Sequence, residues 1–144
     1  TMLISDVKNL NEATSKDIQI PEVSDVLIAV VKEYNTTFRT DDWNVYIINN
    51  KSENLEMVLI VSHGSDEKDA TSLMRHKIKN LPADSYAKVE LIQPELFKLN
   101  NEFKITFFIN NKLFEKIFLF AKNTIKEGAL RVILELDKKG VLAK

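Results

Sequence analysis

Twenty basic and twenty-one acidic side chains nearly cancel over the 144 residues, so no whole-molecule field draws in DNA, RNA or an anionic bilayer; such binding needs a local patch. The absence of cysteine excludes disulfides, thiolate zinc sites and thiol catalysis, and fits a reducing, cytoplasmic setting. At 44% apolar residues the chain can bury one core, yet no apolar stretch approaches the ~20 residues of a membrane helix, and the first residues lack a signal-peptide pattern.

Residues 1–16 are polar and weakly patterned and read as a flexible N-terminal arm. Residues 17–144 read as a single domain. From Asp17 onward the apolar residues are mostly β-branched or aromatic and recur with period two or in short runs, which favours strands. Ile18–Ile20 is a short strand stopped by Pro21. Val26–Tyr34 is apolar on both sides at first, as a central strand is, and Trp43–Ile48 follows it. The stretch NNKSEN (49–54) is turn chemistry, and Met57–Val61 runs back from it. SHGSDEKDAT (62–71) reads as an exposed loop and Ser72–Asn80 as a polar strand. PADS (82–85) turns the chain into Tyr86–Gln93. A connection at 94–101 leads to a phenylalanine-rich stretch, and Arg131–Leu136 is the last clear strand, with the tail able to add a final one. Seven to nine short strands with regular turn signals predict an all-β fold, a two-sheet antiparallel sandwich of the immunoglobulin or fibronectin-III-like kind, with a small α+β domain as the alternative.

The stretch FKITFFINNKLFEKIFLF (103–120) holds six of the eight phenylalanines. A three-residue loop at Asn110-Asn111-Lys112 gives the cleaner pattern. It sets Phe103, Ile105, Phe107, Ile109, Leu113, Ile117 and Leu119 on one core face. Lys104, Thr106, Phe108, Phe114, Lys116, Phe118 and Phe120 then lie opposite. A two-residue Asn-Asn turn would instead bring Phe107 against Phe114. Rings beside lysines on an outer face suit a protein or dimer contact, and in a second reading they form a stacking platform for single-stranded RNA.

RHKIK (75–79) is the basic cluster. On a strand it aligns Arg75, Lys77 and Lys79 on one face and Met74, His76 and Ile78 on the other. Such a stripe either tracks phosphates or blunts an edge strand, the second being the commoner use. His63 and His76 lack the spacing of a metal pair, and Ser62 and His63 point to opposite faces of a strand. Three glycines cannot write a phosphate-cradling loop. Neither a catalytic set nor a cofactor is expected.

The segments DWNVYIINN, MRH, KVELIQPELFKLNNEF, KLFEKIFLFAKNTI and KGVLAK resemble a small bacterial family often labelled phenylalanyl-tRNA synthetase alpha subunit. The resemblance covers roughly residues 17–144 and implies no catalytic residues. A class II synthetase needs a Phe-Arg-x-Glu motif for the ATP phosphates. Phe38-Arg39-Thr40-Asp41 departs from it at the acid and falls in a turn, and the glycine-rich partner motif is missing. Aminoacylation is therefore not expected.

The resulting expectation is a non-catalytic interaction module in the cytoplasm, acting through protein contacts or as a homodimer. Its candidate binding residues are Phe108, Phe114, Lys116, Phe118, Arg75, Lys77 and Lys79. A tRNA- or RNA-binding accessory protein is the alternative, and neither DNA nor a membrane is expected as a partner.

Overall fold

The computed structural model describes residues 23–144, so the expected arm and the Ile18–Ile20 strand lie outside the described residues. Nine strands form among the described residues: β1 (Val26–Asn35), β2 (Thr40–Asn49), β3 (Leu55–Ser65), β4 (Met74–Leu81), β5 (Ser85–Leu91), β6 (Asn100–Ile109), β7 (Lys112–Phe120), β8 (Arg131–Ile133) and β9 (Lys138–Leu142). They build two antiparallel sheets, ordered β5-β2-β1-β9-β8 and β4-β3-β6-β7. The sheets close over one core in an all-β sandwich. Val26, Ile28, Val30, Trp43, Val45 and Ile47 from one sheet meet Val58, Ile60, Phe103, Ile105 and Phe107 from the other.

Tight turns carry the connections. Asn35 Oδ1 accepts from the backbone of Thr37 and Phe38, which closes the β1–β2 hairpin. Asn49 is fully buried and donates to the carbonyls of Glu53, Leu81 and Pro82, tying the end of β2 to the crossing from β4 to β5. Several expected boundaries shift, and two of them change the course of the chain. Ser62–Ser65 continues β3 in pairing with β6, so the exposed loop begins only at Asp66, whose Oδ1 accepts from Lys68 and Asp69. The strand expected over Arg131–Leu136 ends at Ile133, because the chain turns through a left-handed Asp137 (φ 51°) into β9.

That β8–β9 hairpin adds to β1 and sends Ile133 and Leu136 onto a second apolar cluster with Ala29, Val31, Tyr46 and Ile48. These two side chains therefore cover the middle of that sheet's outer side, while Tyr86 of β5 stays exposed. Gly140 permits this approach, since a Cβ there would lie 2.7 Å from the Val30 carbonyl oxygen and from Ile133 Cδ1. Beyond β9, Ala143 bonds to Ile28 and Lys144 to Leu119, which bridges the two sheets.

The phenylalanine hairpin departs from the expected register. Ile109 pairs with Lys112, so the loop has two residues, Asn110 and Asn111, both left-handed at φ 49° and 63°. This is the primed turn that asparagine tolerates and that matches strand twist. Phe114, Phe118 and Phe120 consequently turn inward, while Leu113, Ile117 and Leu119 turn outward. Burying three phenylalanines rather than Leu, Ile and Leu removes the larger apolar area from water. The rings also pair, as in the edge-on contact of Phe103 with Phe120 at 5.9 Å and 87°. Lys116 shares their side at the sheet edge and lays its ammonium over the Phe118 ring, 4.8 Å from its centroid.

Candidate interface on the four-stranded sheet

Among the described residues, nothing packs over the outer face of β4-β3-β6-β7. Alternation puts Arg75, Lys77 and Lys79 of β4 there, beside Met57, Leu59, Val61 and His63 of β3. Lys104, Thr106 and Phe108 of β6 follow, and then Leu113, Glu115, Ile117 and Leu119 of β7. Met57 is 61% exposed and Ile117 52%, and Phe108, Leu113 and Leu119 are each more than a third exposed. An apolar groove of about 520 Å³ runs among Met57, Leu59, Lys77, Lys79, Thr106 and Phe108.

A β-bulge shapes this groove. Between Glu56 and Leu59, β3 has one residue more than β6, and Met57 takes φ 51°. The left-handed region costs a residue with a Cβ about 1 kcal/mol or more, and such strain concentrates where structure serves binding. Here it holds a large thioether side chain out in water.

Charge on the face is uneven. Lys104 pairs with Glu115 at 3.0 Å and His63 lies 3.7 Å from Glu102. Among the described residues no carboxylate lies within 4 Å of Arg75, Lys77 or Lys79. One flank of the apolar strip is thus a row of unpaired cations on an edge strand.

Of the residues singled out in the sequence, Phe108, Arg75, Lys77 and Lys79 come together on this face. Phe118 is buried in the core and Phe114 packs against it, so neither contributes. Lys116 is on the inner side as well. Sequence reasoning missed Met57, Leu113, Ile117 and Leu119. The first depends on a bulge that no local motif announces, and the other three were assigned inward by the longer loop.

Two part-buried carboxylates also escaped notice. Glu33 accepts from Tyr46 Oη at 2.7 Å and Asn44 Nδ2 at 2.8 Å, and Lys88 and Lys138 pair with it. Burial pushes its pKa up, but donation from Lys138, Tyr46 and Asn44 prevails and holds it at about 2. Burial and the neighbouring carboxylate keep the Tyr46 phenol well above its ordinary range, fixed as a donor. The cluster satisfies itself and offers no free acceptor chemistry.

Glu90 is the second. A bulge in the β2–β5 ladder turns it inward at the sandwich rim, where Oε1 accepts from Ser62 Oγ at 2.8 Å and contacts His76 Nε2 at 3.0 Å. Both partners bind the same carboxylate oxygen rather than each other, so no serine–histidine nucleophile pair exists here. Ser62 and His63 do point to opposite faces. Among the described residues no group of three or more His, Asp and Glu is placed to hold a metal, and no helix is long and apolar enough to cross a membrane.

Comparison with known proteins finds no matching family model, no matching curated protein and no matching solved structure.

Proposed function

We propose that this chain is a non-catalytic binding module that docks a protein partner on the outer face of its four-stranded sheet. The observation that carries the reading is the exposed strip of Met57, Phe108, Leu113, Ile117 and Leu119 beside Arg75, Lys77 and Lys79, which pair with no carboxylate among the described residues. Contiguous apolar surface rimmed by charge is costly in water and marks protein contacts. The fitting partner presents an apolar centre bordered by carboxylates opposite β4. The order β1-β2-β5 against β4-β3-β6-β7 supports the immunoglobulin-like kinship, read as A-B-E against C′-C-F-G with the β8–β9 hairpin added. Docking is preferred over the RNA reading because only Phe108 of the three rings proposed for stacking faces outward.

Quantitative pull-downs with the full chain and its variants test this. A partner should be retained by the wild type and by the control Tyr34→Ser, which changes an exposed ring off this face. It should be lost, at least tenfold, on both Phe108→Ser and Lys77→Glu. Equal retention by all four proteins would remove the docking role of this face. Retention of RNA that vanishes with Lys77→Glu would replace the protein partner by a nucleic acid.

A further inference from the structure

Glu90 has a second carboxylate oxygen that the fold does not use. Its Oε1 meets Ser62 Oγ at 2.8 Å and His76 Nε2 at 3.0 Å, while Oε2 has no hydrogen-bond partner among the described residues. Among those residues no lysine or arginine pairs with it either. The side chain is only 9% exposed, a setting in which an unmatched acceptor is costly.

Asn101 repeats the pattern beside it. This residue is 5% exposed, and its Nδ2 donates to the carbonyls of Leu96 and Leu99. Those two bonds fix the amide and leave Oδ1 without a donor among the described residues. Gly64 keeps that oxygen uncovered, since a Cβ there would lie 2.9 Å from it. Ser62 and Gly64 are successive inward positions of β3, about 7 Å apart, and pair with Phe103 and Asn101 of β6.

Glu90 and Asn101 line one cavity of about 180 Å³, where β5 leads into the 3-10 turn Pro94–Lys98. Ile92, Leu96 and Phe103 give it an apolar wall. The hydroxyls around it are already engaged. Ser62 donates to Glu90, and Thr71 Oγ1 accepts from the Gly64 N–H and donates to the Ser72 carbonyl. What the cavity offers is therefore acceptors, one of them charged, beside hydrocarbon.

We infer that this cavity binds an alkylammonium group, held between the Glu90 carboxylate and the Asn101 carbonyl with its carbon chain along Ile92, Leu96 and Phe103. The ammonium supplies donors where only acceptors are free, and its charge strengthens the bond to Glu90. A cavity of about 150 Å³ takes benzene, so about six heavy atoms fit here, a primary amine of about four or five carbons. A hard metal ion suits the site poorly. It needs roughly six oxygen ligands, and among the described residues no three acidic or histidine side chains converge. The cavity lies on the inner side of the four-stranded sheet, so this inference goes beyond the docking face and does not depend on it. With so few atoms the dissociation constant should be on the order of 1 mM.

Proton–nitrogen correlation spectra of the full chain, titrated with n-butylammonium chloride to about 20 mM against equal sodium chloride, read the result. The amides of Gly64, Thr71 and Asn101 should shift and saturate. 1-Butanol and sodium butyrate, close in size but neutral or anionic, should bind about tenfold more weakly or worse. Glu90→Gln keeps an acceptor for Ser62 but loses the charge, and should weaken amine binding about tenfold while leaving butanol unchanged. The wild type's preference among the three probes decides the matter should Glu90→Gln fail to fold. Lys77→Glu, which abolishes docking on the outer face, should bind the amine as the wild type does, so the two readings fail separately. A capped lysine carries the same group, and tighter binding than n-butylammonium would make a protein side chain its source rather than a free amine. Equal binding of amine and butanol, undiminished binding by Glu90→Gln, or no saturable shift at those amides would overturn the inference.

Discussion

Phe107 and Phe114 stack ring on ring across the β6–β7 ladder, with centroids 5.4 Å apart and planes 9° from parallel. The contact exists because two asparagines close the hairpin. A longer loop would slip the register and send Phe114 outward.

The turn itself can be tested. Asn111 sits at φ 63°, where glycine pays no steric cost and a β-branched residue pays heavily. Asn111→Gly should stabilise the protein by about 0.5–1 kcal/mol, and Asn111→Val should cost about 1 kcal/mol or more. Urea unfolding followed by tryptophan fluorescence measures both. A lower midpoint for Asn111→Gly would contradict the two-residue turn.

Met57 sets stability against binding. Its left-handed backbone is strained and its side chain is mostly in water, so little burial is lost on truncation. Met57→Gly should raise the melting temperature by a few degrees, equivalent to roughly 1 kcal/mol, while weakening retention of the docked partner. Thermal denaturation and the pull-down, run on the same preparations, give both numbers.

Glu33 makes stability depend on pH. Its folded pKa of about 2 lies below the ordinary 4.5, so its contribution is complete above about pH 5 and is lost as the pH falls towards 2. That contribution is on the order of 2–3 kcal/mol for this mostly buried carboxylate. Chemical denaturation at pH 7, 4 and 3 should show wild-type stability falling more steeply than that of Glu33→Gln. Parallel pH profiles would mean that the donors around Glu33 do not favour its charged form.

The sequence made the sandwich legible because alternation and turn residues are local signals. Val26–Tyr34 and Trp43–Ile48 lie inside β1 and β2, and Arg75, Lys77 and Lys79 share the face that their spacing indicated. Parity is where it stopped. A bulge reverses the in-and-out order from one residue onward, which is why Glu90 reads as an outward residue after Val89 yet faces Ser62. At the asparagine turn the opposite preference misled. The cleaner aliphatic pattern competes with the greater area of three phenylalanine rings, and the rings prevail, leaving Lys116 to reach the rim. Tertiary covering by the β8–β9 hairpin left no local trace, since Ile133 and Leu136 are only two apolar residues near a turn.

The hairpin laid over Ala29, Val31 and Ile48 makes the molecule directional. A support that gripped the side bearing this hairpin would hold the uncovered pleats towards solution. Coupling through Lys77 or Lys79 would do the reverse and mask them. Uniform presentation is thus available from the placement of one short ribbon.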